Sequence, residues 1–162
     1  MTRTVLLERL WDVTKEATEG VLLPVRRQKG DGESLLPRPA KIYLMGLPEA
    51  GAAVKKAPYI LHQIVTGKDT QKPGDFQPEA QAVVRSVFCV YHEDGQEGSL
   101  ALLGLMERVR IALLEQVVIG KQFKLDLSAG LDTLVYPDDA APYYIGEVVS
   151  TWKLPGITRK VD

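Results

Sequence analysis

Ser99–Val118 reads SLALLGLMERVRIALLEQVV. Leu102, Met106, Val109, Leu113 and Val117 recur at three- and four-residue steps, the helical period, so the stretch predicts a core helix. Glu107, Arg108, Arg110, Glu115 and Gln116 give it a polar flank, while Leu100, Leu103, Leu105, Ile111 and Leu114 widen the apolar face beyond one stripe. A helix of that kind is expected to be covered on two sides. The polar turn Glu93–Gly98 precedes it, Ser99 is the expected N-cap, and Gly120 the expected stop. At 1.5 Å per residue the run spans about 30 Å, the width of a small domain.

Working outward, Thr4–Thr18 puts Leu6, Leu10, Val13 and Ala17 on one face and predicts an amphipathic first helix, packing through Leu6, Leu10 and Trp11 and ending at Gly20. Residues 21–40 carry Pro24, Pro37, Pro39 and Gly30-Asp31-Gly32, which interrupt regular structure, so they predict a long connection with at most a short strand near Leu22–Arg26. Lys41–Leu47 is a candidate short strand, and Ala50–Val54 a candidate helical turn. Tyr59–Val65 is β-branched and aromatic and predicts a strand. Residues 67–80, rich in Lys, Asp, Gly and Pro, read as a polar connection too long for a tight hairpin.

Gln81–Tyr91 has apolar residues on both parities, Val84, Phe88 and Val90 against Val83, Val87, Cys89 and Tyr91, and predicts a central strand covered on both faces. Gln122–Leu127 alternates strictly, with Phe123, Leu125 and Leu127 expected inward. Leu131–Tyr136 is a weaker neighbouring strand. Tyr143–Leu154 is the last and longest, with Gly146 as a candidate bulge, and a polar tail follows over 155–162. The order predicts one α+β domain over 1–162, a mainly antiparallel sheet with the N-terminal helix and the long central helix packed on it.

Composition narrows function. Twenty basic and twenty-one acidic residues leave a formal charge of -1 with the signs mixed, so neither a direct nucleic-acid footprint nor a membrane footprint is expected. No apolar run reaches a membrane span and the first residues do not read as a signal peptide, which predicts a protein soluble and intracellular at synthesis. Cys89, the single cysteine, cannot form an internal disulfide and reads as core.

His92-Glu93-Asp94 is the one place where a histidine adjoins two carboxylates, a combination that acid–base or metal chemistry uses. Three consecutive residues cannot converge from a strand, so a polar turn before the helix is the better reading. His62 is read as an exposed strand residue. Gly95–Gly98 lacks the Lys-Ser/Thr of a phosphate loop and carries an acid, and no serine sits in a nucleophile elbow. Tyr143, Tyr144 and Trp152 fit either an aromatic recognition patch or sheet packing, the latter being commoner. The residues therefore predict no enzyme, no metal and no cofactor.

The strand VRSVFCVYHEDGQ, the helix SLALLGLMERVRIALLE, the segment FKLDL and the closing APYYIGEVVSTWKLP together resemble the tail terminator, or tail completion, proteins of siphophages and prophages, over roughly Pro58–Pro155. The resemblance implies a ring, typically of six copies, that caps the tail tube, stops its growth and later offers a surface for head joining. Its implied partners are further copies of itself, the tail tube protein and the head connector. The implied location is the virion tail or neck, after assembly in the host cytoplasm. A different head–tail neck protein is the alternative, and a small-ligand domain a further one. The two long connections, 21–40 and 67–80, are the candidate contact arms, with Arg26, Arg27, Lys68, Asp69, Lys72, Asp75, Tyr143 and Tyr144 as candidate partner contacts. If the closing strand lies at a sheet edge, a neighbouring subunit would cover it.

Overall fold

The computed structural model describes residues 2–27, 36–48, 56–74, 76–137 and 140–161. Its elements are α1 (Arg3–Thr18), β1 (Lys41–Leu44), β2 (Tyr59–Thr70), β3 (Glu79–Tyr91), α2 (Gly95–Gln116), β4 (Val118–Ile119), β5 (Phe123–Leu125), β6 (Leu131–Val135) and β7 (Tyr143–Pro155). The strands form one sheet in the order β1-β2-β3-β7-β5-β4, with β6 also paired to β7. Among the described residues only the β1–β2 pair is parallel. The architecture is the expected α+β arrangement.

Helix α2 begins at Gly95, four residues before the expected start. The Asp94 side chain, not Ser99, is the cap, accepting from the Glu97 N–H at 2.9 Å, while Ser99 Oγ donates to the Gly95 carbonyl. Gly98 is tolerated in this first turn because Tyr144 lies against it, where any side chain would collide. At the other end the helix stops at Gln116, with Val117 at φ 58° and the turn at Gly120 beyond.

Strand β7 is not at an edge. It lies between β3 on one side and β5 and β6 on the other, and is the most extensively paired strand together with β3. Nor is Gly146 a bulge, since its register with Phe88 is unbroken. A Cβ there would lie 2.7 Å from Met106 Sδ and 3.0 Å from the Leu134 carbonyl. Gly146 is therefore the point where α2 descends onto the β6–β7 pair. The bulge is instead in β2, between Ile64 and Thr66.

The candidate arm over 67–80 is in part sheet, shortened at both ends by strand pairing. Strand β2 continues to Thr70 and β3 starts at Glu79, with Gly67 opposite Ala82, Lys68 opposite Gln81 and Asp69 opposite Ala80, so only residues 71–78 connect them. Backbone pairing outweighed the polar composition. The 21–40 connection holds an isolated bridge, Leu23 to Arg38, in place of a short strand. Ala50–Val54 lies outside the described residues.

Both helices cover the same face. Ala80, Ala82, Val84, Phe88 and Val90 of β3 join Val148, Trp152 and Leu154 of β7 under Leu6 and Leu10 of α1 and Leu102, Leu105, Met106, Val109 and Leu113 of α2. The opposite face of β3 is not covered as expected. Val83, Arg85 and Val87 are half-exposed, and only a smaller cluster around Tyr59, Leu61, Cys89 and Tyr143 closes one end of it. Leu127 is exposed, because the alternation of β5 ends at Leu125 and an Asp126–Ser128 turn follows. Trp11 is half-buried, with Lys15 Nζ 5.2 Å above its ring.

His62 corrects another expectation. It has no exposure, and its ring bridges two elements: Nε2 lies 2.8 Å from Thr14 Oγ1 of α1 and Nδ1 2.7 Å from Ser86 Oγ of β3. Both nitrogens are satisfied while the ring is neutral, as a buried polar group requires. Burial pushes its pKa down to about 4.

Two outcomes follow from this packing. In the unfolded chain His62 titrates near its ordinary 6.5, so its stabilising neutrality is fully present above that pH and is lost as pH falls toward 4. Urea midpoints measured between pH 7.5 and 4 should fall by the equivalent of about 3 kcal/mol from this group, with the slope reduced in His62→Gln. Gly146→Ala should cost about 1–3 kcal/mol by thermal or chemical unfolding, because the Leu134 carbonyl cannot yield as Met106 can.

Candidate functional site

The candidate contacts fall at the two ends of the sheet. At one end, Arg26 donates to Tyr143 Oη at 3.0 Å, and its guanidinium carbon sits 5.6 Å from the Tyr143 ring centroid and 6.0 Å from that of Tyr91. The hydrogen bond to Tyr143 is the first cause raising the Arg26 pKa. Arg27 is exposed and lines an open cleft of about 670 Å³ with Arg26, Tyr91, His92 and Glu93.

Tyr143 and Tyr144 do not form one patch. As neighbours in a strand they point to opposite faces: Tyr143 joins Tyr59 and Cys89, and Tyr144 packs under α2 at Gly98. Both are buried, and Trp152 is fully so, its indole N–H donating to Ser150 Oγ at 2.8 Å. These aromatics are packing residues.

His92, Glu93 and Asp94 likewise separate. His92 Nδ1 accepts from the Asp94 N–H, Glu93 accepts from Tyr91 Oη, and Asp94 caps α2. Each side chain has a local partner, and none converges with another. Among the described residues no group of three His, Cys, Asp or Glu side chains has the geometry to hold a metal ion. No helix of the described residues is long and apolar enough to cross a membrane.

At the other end, Lys68 and Asp69 sit on β2 and face opposite ways. Asp69 accepts from Arg3 of α1 at 3.3 Å, on the helical side, where the Arg3 guanidinium lies directly over Gly67. Lys68 faces the open side and borders a cleft of about 310 Å³ with Gln81 and Lys153. Lys72 is exposed in the connection, and Asp75 lies outside the described residues.

Three features escaped sequence reading. The open sheet face carries an ion pair between Arg85 and Glu147, with Arg85 also donating to Tyr136 Oη at 2.8 Å. Helix α2 leaves Leu100, Leu103 and Ile111 exposed at 55%, 42% and 46%, so the sheet and α1 cover two of its sides and a third stays bare, its apolar residues interrupted by the Glu107–Arg110 ion pair. Finally, no described residue pairs with the outer edge of β1 or of β6. The broad leucine pattern of α2 was a signal for the second feature; strand register, on which the others depend, has no local signature.

No family model and no curated protein matches this sequence. One similar solved structure, of a protein named only by a sequence identifier, has 12% identity and a TM-score of 0.46 over 97% of this chain and 95% of that one. Neither the fold nor the functional reading rests on it.

Cys89 is fully buried beside Tyr59, and burial pushes its thiol pKa up to about 12. The native protein at pH 8 should therefore leave a thiol reagent such as DTNB unreacted over minutes, and release one equivalent of chromophore per chain once denatured.

Proposed function

We propose that this chain is a structural assembly protein of the tail terminator kind, closing into a ring on the end of a phage tail tube, ending tube growth and offering a surface for head joining. The observation that carries the reading is the unpaired outer edges of β1 and β6, on opposite sides of the β2-β3-β7 centre of one sheet whose other terminal strand, β4, is only two residues long, with Leu100, Leu103 and Ile111 of α2 exposed on the same domain. Met106, over Gly146, seats α2 on β7, the strand to which β6 is paired.

An exposed strand edge is a template for pairing, and exposed apolar residues on the same domain add burial to a contact that covers them. Two unlike edges favour a heterologous contact, in which one copy presents β6 and the next presents β1. Such a contact closes into a ring when the rotation allows it. This replaces β7 as the strand that a neighbour would cover. The sequence likeness over Pro58–Pro155 supplies the choice of a tail-tube ring over other assemblies, and the separate local partners of His92, Glu93 and Asp94 give an enzyme no support.

The test is negative-stain electron microscopy of tail tubes, or of recombinant tube polymers, incubated with the purified protein. End-capping with arrested tube growth is the expected outcome. Leu103→Glu combined with Ile111→Glu should abolish capping while leaving the far-ultraviolet circular dichroism unchanged. No binding to tube ends, with a chain that stays monomeric at high concentration, would overturn the reading.

A further inference from the structure

Strand register places three lysines side by side on the open face of the sheet. Lys68 of β2 is opposite Gln81 of β3, Gln81 is opposite Lys153 of β7, and Lys153 is opposite Lys124 of β5. All three lysines are exposed, and their strand neighbours on the helical side, Ala80, Ala82, Trp152, Leu154, Phe123 and Leu125, are buried, which fixes the row outward. Adjacent strands lie about 5 Å apart, so Lys153 and Lys124 are immediate neighbours and Lys68 stands about 10 Å from Lys153 across Gln81.

The row is only weakly compensated from within. Among the described residues no carboxylate is within ion-pair distance of Lys68, Lys124 or Lys153. Asp126, just beyond β5, feels Lys153 at longer range, which helps to lower its pKa, but its carboxylate is held first by the Ser128 hydroxyl at 2.6 Å and the Ser128 N–H at 3.1 Å. Like charges directly opposite one another in a sheet are destabilising. The cleft lined by Lys68, Gln81 and Lys153, with Glu79 also in its wall, leaves space above that end of the row.

We propose that this lysine row is a docking site for an acidic polypeptide segment, whose carboxylates sit over Lys68 and over the Lys153–Lys124 pair while Gln81 supplies a neutral hydrogen-bonding group between them. The geometry favours a peptide over a nucleic acid. The row runs across the strands for only about 15 Å, and Glu79 and Asp126 flank it, so a continuous phosphate backbone leaving the row meets carboxylates where an isolated pair of Asp or Glu side chains does not. A single free phosphate spans only part of the row. The inference does not depend on ring formation.

The test is fluorescence anisotropy with a labelled Gly-Ser peptide carrying only two glutamates, spaced to reach Lys68 and the Lys153–Lys124 pair, against the same peptide with glutamines in their place, a labelled DNA oligonucleotide and inorganic phosphate as competitors at matched ionic strength. The glutamate peptide should bind, and Lys68→Gln/Lys124→Gln/Lys153→Gln should weaken it by about tenfold or more. Arg159→Gln/Lys160→Gln, in the tail, should leave binding within about twofold, which separates the row from general positive charge. The melting temperature of the triple variant should not fall, since it relieves repulsion. The proposal is overturned if the glutamate peptide does not bind, if the triple variant binds as well as the natural chain, if DNA binds as tightly, or if phosphate alone displaces the peptide at equimolar concentration.

Discussion

Two helices cannot cover both sides of this sheet, and the rest of the structure follows from that constraint. Packed helices stand about 8–10 Å apart, so α1 and α2 together roof about 20 Å, or four strands at 4.8 Å spacing. They are spent on one face, where Trp152, Phe88 and Phe123 are fully buried. The other face must be stable with its valines and threonines half in water. It manages this with polar and charged residues in the middle, Arg85 with Glu147 and Tyr136, and with a tyrosine-rich cluster at one end. The surfaces left bare are accordingly the open face, the free edges, and the side of α2 that neither α1 nor the sheet reaches.

The covered face is not purely apolar. His62 stands between Thr14 and Ser86, tying α1 to the centre of the sheet through two hydrogen bonds made in a dry environment. Apolar contacts hold α1 down without fixing how far it slides along the sheet. A pair of directional bonds does fix it, and a displacement would strand buried polar atoms. Arg3, reaching over Gly67 to the Gln81 carbonyl, adds a second anchor at the opposite end of the helix.

Much of this fold was legible in the residues. The 3.6-residue period located both helices, and the β-branched runs located β2, β3 and β7, because those signals arise within one element. What failed depended on contacts between elements. Asp69 and Lys68 read as loop because their polarity is a local signal, whereas their place in β2 is set by pairing with Ala80 and Gln81. His62 read as exposed because nothing nearby in sequence announces Thr14 and Ser86 as its partners. Gly146 read as a bulge, yet its reason is Met106, forty residues earlier in the chain. The candidate contacts fared similarly: Arg26 and Lys68 are at surfaces, while Tyr143 and Tyr144 are divided between two faces by the strand's own alternation.

The pairing of β3 with β7 also orders events in time. Tyr91 meets Tyr143 and Glu79 meets Pro155, so the two longest strands of the sheet are brought together only across α2 and three short strands. Contacts of such separation form late and slowly. On a ribosome, β1 to β3 and α2 emerge well before β7, and until it arrives the centre of the sheet has a vacant lane and α2 lacks Gly146 beneath it. The surfaces beside β6 are completed by β7, the last strand of this sheet in chain order. A chain built this way has no finished β6 edge until β7 has been made and paired.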